Sequence, residues 1–451
     1  MPIPLLHVDP SGPAGSGTPL PEAVDLVVVG GGIIGVCTAL FAARAGLSVA
    51  LCEKGRVGGE QSGRNWGWIR QQGRDAHELP IVIEALRHWE SLAQTIGEPL
   101  GFRRSGVTYL AESEAELAKF EQWLSVARAH DVDTRLLSPA EVGRLMPALA
   151  DKVPGAIHTA SDARAEPFGA VPLIARLAIS EGVGIFEHCA VRALDVAAGR
   201  LRGVVTERGP IRAAQVLVAG GAWSRRLLGA HGVEIPQLLV RASVAATEPL
   251  PEVIAGAASL GRWAIRRRAD GGYSLAPGDG GETFFLGPSA FRSFRWFLPQ
   301  LRRAPFALAY RPAAPAGFPD AWGAARSLDA DRPGPFEAMR MLDPAPDRAR
   351  LERARRALEM AVPALGTVRL RQSWAGMIDT MPDVVPVIDS CARPEGLWIA
   401  TGMSGHGFGI GPGVGRVMAD LIAGRPAGHD LGRFRLGRFA GPVAVDFGAA
   451  L

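Results

Sequence analysis

Only four of the 451 residues are cysteine, and no CxxC pair or metal-ligand spacing links Cys37, Cys52, Cys189 and Cys391. That scarcity excludes a disulfide-stapled fold and a cysteine-bound metal centre. No metal is expected, and the expected compartment is a reducing cytoplasm. No uninterrupted apolar run reaches the ~18 residues that mark a membrane-spanning helix. Lysine is nearly absent as well. Lys54, Lys119 and Lys152 are the only lysines among 49 basic residues, so the net charge of +4 is an arginine charge spread along the chain. The clearest basic run, Arg266-Arg267-Arg268, is short and adjoins acidic and glycine residues. A nucleic-acid surface needs basic residues clustered with stacking aromatics, so no nucleic-acid partner is expected. Residues 1–21 lack the charged and apolar blocks of a secretory signal and are rich in Pro, Gly and Ser, which predicts a disordered leader.

What the chain does have is a core. At 47% hydrophobic and 21% charged it is too apolar for disorder, and its length suggests two or three domains. The first organised segment, VDLVVV at 24–29, is an apolar β-branched run of the kind that forms a buried parallel strand. GGGIIG follows at 30–35 and satisfies G-x-G-x-x-G. An Ala-rich helical stretch runs to about Ala45, and LSVALCEK supplies a second strand ending in Glu53. The acid falls 18 positions after Gly35. Strand, glycines, helix, strand and acid in that order describe a dinucleotide site. Gly30, Gly32 and Gly35 let the backbone approach a pyrophosphate, and a ribose donates to Glu53. An acid at this position argues against a 2′-phosphate. The alternative is an ordinary βαβ turn without a ligand.

Further along, 78–130 reads as largely helical, 151–215 as mixed, and AQVLVAGG at 214–221 as another buried strand ending in glycines. Frequent turns over 236–312 suggest an antiparallel sheet, 312–350 looks irregular, and 350–362 is helical. GLWIAT at 396–401 runs into GMSGHGFGIGPGVGRVMADLIAG, a second strand, glycine turn and helix. The reading is an α/β fold: a Rossmann-type domain built from both ends of the chain (22–75, 150–235 and 365–451) with an inserted antiparallel-sheet α+β substrate domain (76–149 and 236–364).

Four separated blocks carry a family pattern: VVVGGGIIG…CEK at 27–54, GGEQSGRNWGWIRQ at 58–71, VLVAGGAWS at 216–224, and WAGMIDTMPDVVPVID to ATGMSGHGFGIGPGVG at 374–415. The chain resembles the FAD-dependent amino-acid oxidase and dehydrogenase family, which includes sarcosine oxidase, glycine oxidase and D-amino-acid dehydrogenase. The resemblance implies that Gly30, Gly32, Ile33, Ile34 and Gly35 sit on the FAD pyrophosphate, with Glu53 and Lys54 at the adenosine end. It puts Ser62, Gly63, Arg64, Asn65 and Gly67 in a loop around the pyrophosphate and ribityl chain, Val191 against adenine, and Gly220, Gly221 and Trp223 near the adenosine. Gly376 and the turn of Gly402, Met403, Gly405, His406, Gly407 and Phe408 would lie at the isoalloxazine. His406 is expected to contact the cofactor, not to act as a catalytic base.

For the substrate, Arg70 in WGWIR aligns with the family's carboxylate-binding Arg, and a guanidinium fork matches a carboxylate bidentately. Arg266 is a second candidate, and Trp68, Tyr273 and Trp374 are candidates to cage the substrate side chain. The alternatives are surface charge for the arginines and plain core for the aromatics. Three departures from the family matter. The sarcosine oxidases' flavin-linking Cys is Gly376 here, which implies non-covalent FAD. H-G-F is followed by Gly409 instead of Lys, which leaves room above the flavin. The oxygen-activating Lys maps near Phe285, which favours a dehydrogenase.

The implied function is oxidation of the C–N bond of an amino or N-substituted amino acid to an imine by hydride transfer to flavin, then hydrolysis. The electron acceptor is left open among oxygen, a quinone and a partner subunit. The other readings are the flavin-bearing subunit of a heteromeric dehydrogenase (opine, hydroxyproline or sarcosine type), a non-catalytic FAD-binding assembly factor, and an NAD-dependent dehydrogenase. Aromatics and arginines interleave over 287–312, which favours a helix covering the core with its arginines in water, the alternative being a membrane-surface or subunit contact.

Overall fold

The computed structural model describes residues 19–278, 283–303, 309–323 and 328–441. Most of the expected leader lies outside them. Leu26–Val29 forms the centre of a six-stranded sheet because both its faces are covered: Leu26, Val27 and Val28 have no solvent exposure. Val49–Cys52 and Gln215–Val218 flank it in parallel, Gly184–Phe186 and Leu397–Thr401 lie outside those, and Val387–Ser390 closes one edge antiparallel. The strand period of two sorts the side chains. Leu26, Val28, Val49 and Leu51 pack on one side with helices Ile33–Arg44, Leu79–Ile96, Pro167–Ser180 and Gly407–Ile422. Val27, Ala50, Val216 and Val218 pack on the other with Leu194, Leu201, Val204 and Ile211 of a three-stranded sheet.

The glycines after Phe408 serve this packing. A Cβ at Gly411 or Gly415 would press into Ile33 or Cys37, and one at Gly413 into the Ile81 carbonyl oxygen. Helix Gly407–Ile422 therefore lies almost backbone to backbone against the first helix and against Leu79–Ile96.

The second, larger sheet is mixed but mostly antiparallel. Its middle is the long strand Leu238–Thr247, paired antiparallel with Leu370–Thr380 on one side and with Thr283–Phe285 and Tyr273–Pro277 on the other. Two expected boundaries move. Ala156–Thr159 and Leu370–Thr380 belong to this sheet, although they fall inside stretches assigned above to the nucleotide-binding domain. The largely helical reading of 78–130 matches two helices with a strand between them. Leu79–Ile96 and Glu114–Ala129 are helices, but Val107–Leu110 between them is a strand of the second sheet. A four-residue strand leaves too short a period-two pattern to stand out between two amphipathic helices.

Over 287–312, residues 304–308 lie outside the described residues. In the rest, Trp296 and Phe297 are buried against Val240 and Phe284, while Phe291 and Phe294 are exposed. The segment thus covers core with part of its aromatic content. No helix among the described residues is long and apolar enough to cross a membrane.

One polar cluster fastens the helical layer. Glu84 on Leu79–Ile96 pairs with Arg416 on Gly407–Ile422, with His88 one turn along, and with His429. Burial raises its pKa, but the bonds from His88, Arg416 and His429 outweigh that and hold the carboxyl well below its ordinary range. A depressed carboxylate stabilises the fold above its unfolded pKa, and the contribution is lost as pH falls through the folded one. Glu84→Gln is expected to cost about 1–2 kcal/mol at neutral pH, allowing for partial exposure. Denaturant melts should show the gap between wild type and variant closing only in acid. An equal gap at all pH values contradicts this account.

Candidate active site

The first strand ends at Gly30, whose φ of +111° and closeness to the Ala219 carbonyl (a Cβ would lie 2.6 Å from its oxygen) admit only glycine. The chain then turns into helix Ile33–Arg44, which begins at Gly32 without a side-chain cap. Its opening N–H groups therefore face a cavity lined by Gly30, Gly32, Ile33 and Ile34. Ser62 Oγ accepts one of them, from Ile33, at 3.0 Å. Gly35 is not at the cavity. A Cβ there would collide with the Gly30 carbonyl oxygen, so Gly35 lets the helix start directly above the strand end. At the end of the second strand, Glu53 accepts from the N–H of Gly31 and of Gly55, each at 2.7 Å, and lines the same cavity. Val191, Gly220, Gly221 and Trp223 close this end.

The loop after Gly58 forms a wall held by its own polar groups. Arg64 gives its N–H groups to Gly59 O, Asp343 and Ala375 O. Asn65 bonds Ser62 O and the Gly67 N–H. Lys54 bonds Glu60 and two backbone carbonyls, at Met339 and Arg340, and lies over the Trp223 ring. Arg64, Asn65 and Lys54 reach the cavity, but these bonds make them the loop's own fastenings. Gly63 and Gly67 do not line the cavity. Gly67, at φ +81°, is required because the Ala165 carbonyl and the Arg266 guanidinium crowd it.

Opposite, Gly376 and Ile378 present the strand Leu370–Thr380, and Met403, Gly405, His406, Gly407 and Phe408 form the turn that starts helix Gly407–Ile422. Gly402 is set back under Met381. Asp379, not foreseen from sequence, organises this turn: its buried carboxylate accepts from the Gly402 N–H at 2.7 Å, Thr401 at 3.1 Å and Gln237 at 3.2 Å. His406 Nε2 lies 3.0 Å from Glu78 Oε1, and both side chains are buried. Burial holds the His406 pKa below its ordinary value. A neutral ring beside that carboxylate carries its proton on Nε2 and keeps Nδ1 as an acceptor.

The same cavity is also lined by Trp66, Trp68, Arg70, Arg74 and Tyr109. Arg70 lies over the Tyr109 ring and bonds Gln72 O. Arg74, Glu78 and Asp162 were invisible as site residues in the sequence, since nothing in their spacing separates them from surface charge. Asp162 is buried and accepts the backbone N–H groups of Gln71 and Gln72, which fixes the loop bearing both arginines. Burial pushes its carboxyl up to about 7 despite those bonds.

Three expected substrate residues lie elsewhere. Arg266 is fully buried and forms a fork to Glu166 at 2.8 and 3.1 Å, with further bonds to Trp66 O and Ser274. It supports the loop from below and has no free donor to offer a ligand. Tyr273 sits in the core of the second sheet with its hydroxyl on the Val253 N–H. Trp374 packs with Trp66 and Phe168 and donates to Arg64 O. Phe285 packs on Phe318 and does not line the cavity, so the argument from a missing cation at that position has no purchase on oxygen reactivity.

The cradle of glycines and helix N–H groups, the Glu53 carboxylate at the cavity wall and the second glycine turn fit FAD. A family model for FAD dependent oxidoreductases (DAO) matches residues 25–421. The chain belongs to the FAD dependent oxidoreductase family. Among solved structures, this oxidoreductase is similar to the L-amino acid deaminase of Proteus myxofaciens in complex with anthranilate, with a TM-score of 0.88 and 28% identity over 94% of this chain and 95% of that one. It is 25% identical to the sarcosine oxidase subunit beta of Rhizobium meliloti over 94% of this chain and 90% of that protein. It is 27% identical to the mouse mitochondrial sarcosine dehydrogenase over 52% of this chain, a match that spans only 27% of the mouse protein. FAD is the cofactor of this oxidoreductase, and Gly376 has no side chain to bond a flavin.

Proposed function

We propose that the protein oxidises the C–N bond of an amino or N-substituted amino acid to an imine, which water hydrolyses to an oxo acid and an amine or ammonia. The observation that carries this reading is Arg70, a guanidinium lining the cavity beside Trp68 and Tyr109. A carboxylate on that fork would lie between Trp68 and Tyr109, with the amine directed back towards the turn at 403–408. FAD supplies the acceptor for the two electrons that leave the substrate. The residues bind and orient: Arg70 holds the carboxylate, Trp66 and Trp68 exclude water, and His406, fixed on Glu78, stays with the turn that holds the cofactor. The deaminase and sarcosine enzymes to which the chain is similar are named for substrates of this class.

A second reading, a flavin-bearing subunit of a heteromeric enzyme, draws on the nearly full-length match to a protein named as a subunit beta. The test for both is anaerobic bleaching of the flavin by L-, D- and N-substituted amino acids, followed by air. Bleaching by the isolated chain is the expected result. No bleaching across the panel would overturn the first reading. Prompt recolouring in air marks an oxidase, slow recolouring a dehydrogenase.

A further inference from the structure

The cavity wall around Tyr109 holds one more arginine than a simple amino acid uses. Arg70 and Arg74 both line it. Their loop is pinned by Asp162, and the Arg74 backbone is fixed twice, by its N–H on Gln71 O and its carbonyl on Trp123 Nε1. The two guanidinium groups are thus held beside each other by the fold. Among the described residues the Arg74 side chain has no hydrogen-bonded or ion-paired partner. The acids nearby are engaged elsewhere: Glu78 with His406, and Asp162 with backbone N–H groups. Burial, and after it the neighbouring Arg70, push the Arg74 pKa down to about 9, although the Glu78 and Asp162 carboxylates pull the other way. The Arg74 guanidinium is half-buried at the cavity wall, and a carboxylate is the group that matches its fork.

We propose that the substrate carries two carboxylates: the amino acid's own on Arg70, and a second, from its side chain or its N-substituent, on Arg74. This rests on the reading of Arg70 given above. It deepens that reading to acidic amino acids and N-carboxyalkyl amino acids.

The test uses the flavin-loaded protein and two unreactive probes of equal chain length, glutarate and valerate, titrated by the change in flavin absorbance. Glutarate is expected to bind about ten- to a hundred-fold more tightly. In Arg74→Gln that preference should collapse towards one. Equal binding of the two probes by the wild type, or an equal loss of both in Arg74→Gln, overturns the proposal, because both arginines would then serve one carboxylate. If Arg74→Gln does not retain flavin, Arg74→Lys keeps the charge without the fork. A reduced glutarate preference there supports the proposal, and an unchanged one overturns it. A glutarate preference in a protein whose flavin no amino acid bleaches would sink the catalytic reading and leave the two-carboxylate site standing.

Discussion

Arg70→Gln raises KM for the amino acid by about 100- to 1000-fold while the protein still purifies with its flavin. The size follows from removing one partner of a desolvated charge pair, which costs about 2–5 kcal/mol. The selectivity follows from position. Arg70 touches Tyr109 and Gln72 and none of the residues of the pyrophosphate cradle. The loss should fall mainly on KM, because a carboxylate fork holds ground state and transition state alike. Steady-state kinetics with the substrate found by bleaching is the check. An unchanged KM would remove Arg70 from the site.

Gly35→Ala is expected to abolish flavin binding and to lower stability by about 3 kcal/mol, the upper end of overpacking costs. The added methyl meets a backbone carbonyl, that of Gly30, and the Val28 side chain. A carbonyl at the end of a central strand cannot swing aside as a side chain tip can. Gly229→Ala is the control: nothing lies within 4 Å of its added methyl, and it sits in helix Ser224–Ala230, where alanine is favoured. Flavin content and melting temperature of the two variants should differ sharply. Similar values would mean that the helix start can shift without harm to the cradle.

The nucleotide-binding half was legible because its determinants are local. Gly30, Gly32, Glu53 and the strands around them do their work within one βαβ unit, and order along the chain is order in space. The substrate end was half legible. Arg70 stands in a local motif, but Arg266 is chemically identical to it and is spent on Glu166, a pairing across 100 residues that no spacing announces. Arg74, Asp162, Glu78 and Asp379 were missed for the same reason. Their roles come from which groups the folded chain leaves paired or unpaired. The glycines at 411, 413 and 415 show the converse. They look like more of the ligand turn and are in fact contact points between helices.

That helix contact also constrains how the protein can be made. The strand at 26–29 has one neighbour at 49–52 and the other at 215–218, and the strand beyond that is 397–401. Helix 407–422 then lies on the first helix through glycines. During synthesis the opening strand therefore keeps one sheet edge unpaired until 215–218 has left the ribosome, and the first helix lacks part of its cover until 407–422 follows. Contacts of such long sequence separation fold slowly and expose apolar surface meanwhile. In a cell making this enzyme, yield should depend on chaperone supply and on elongation rate more than on the stability of the finished fold.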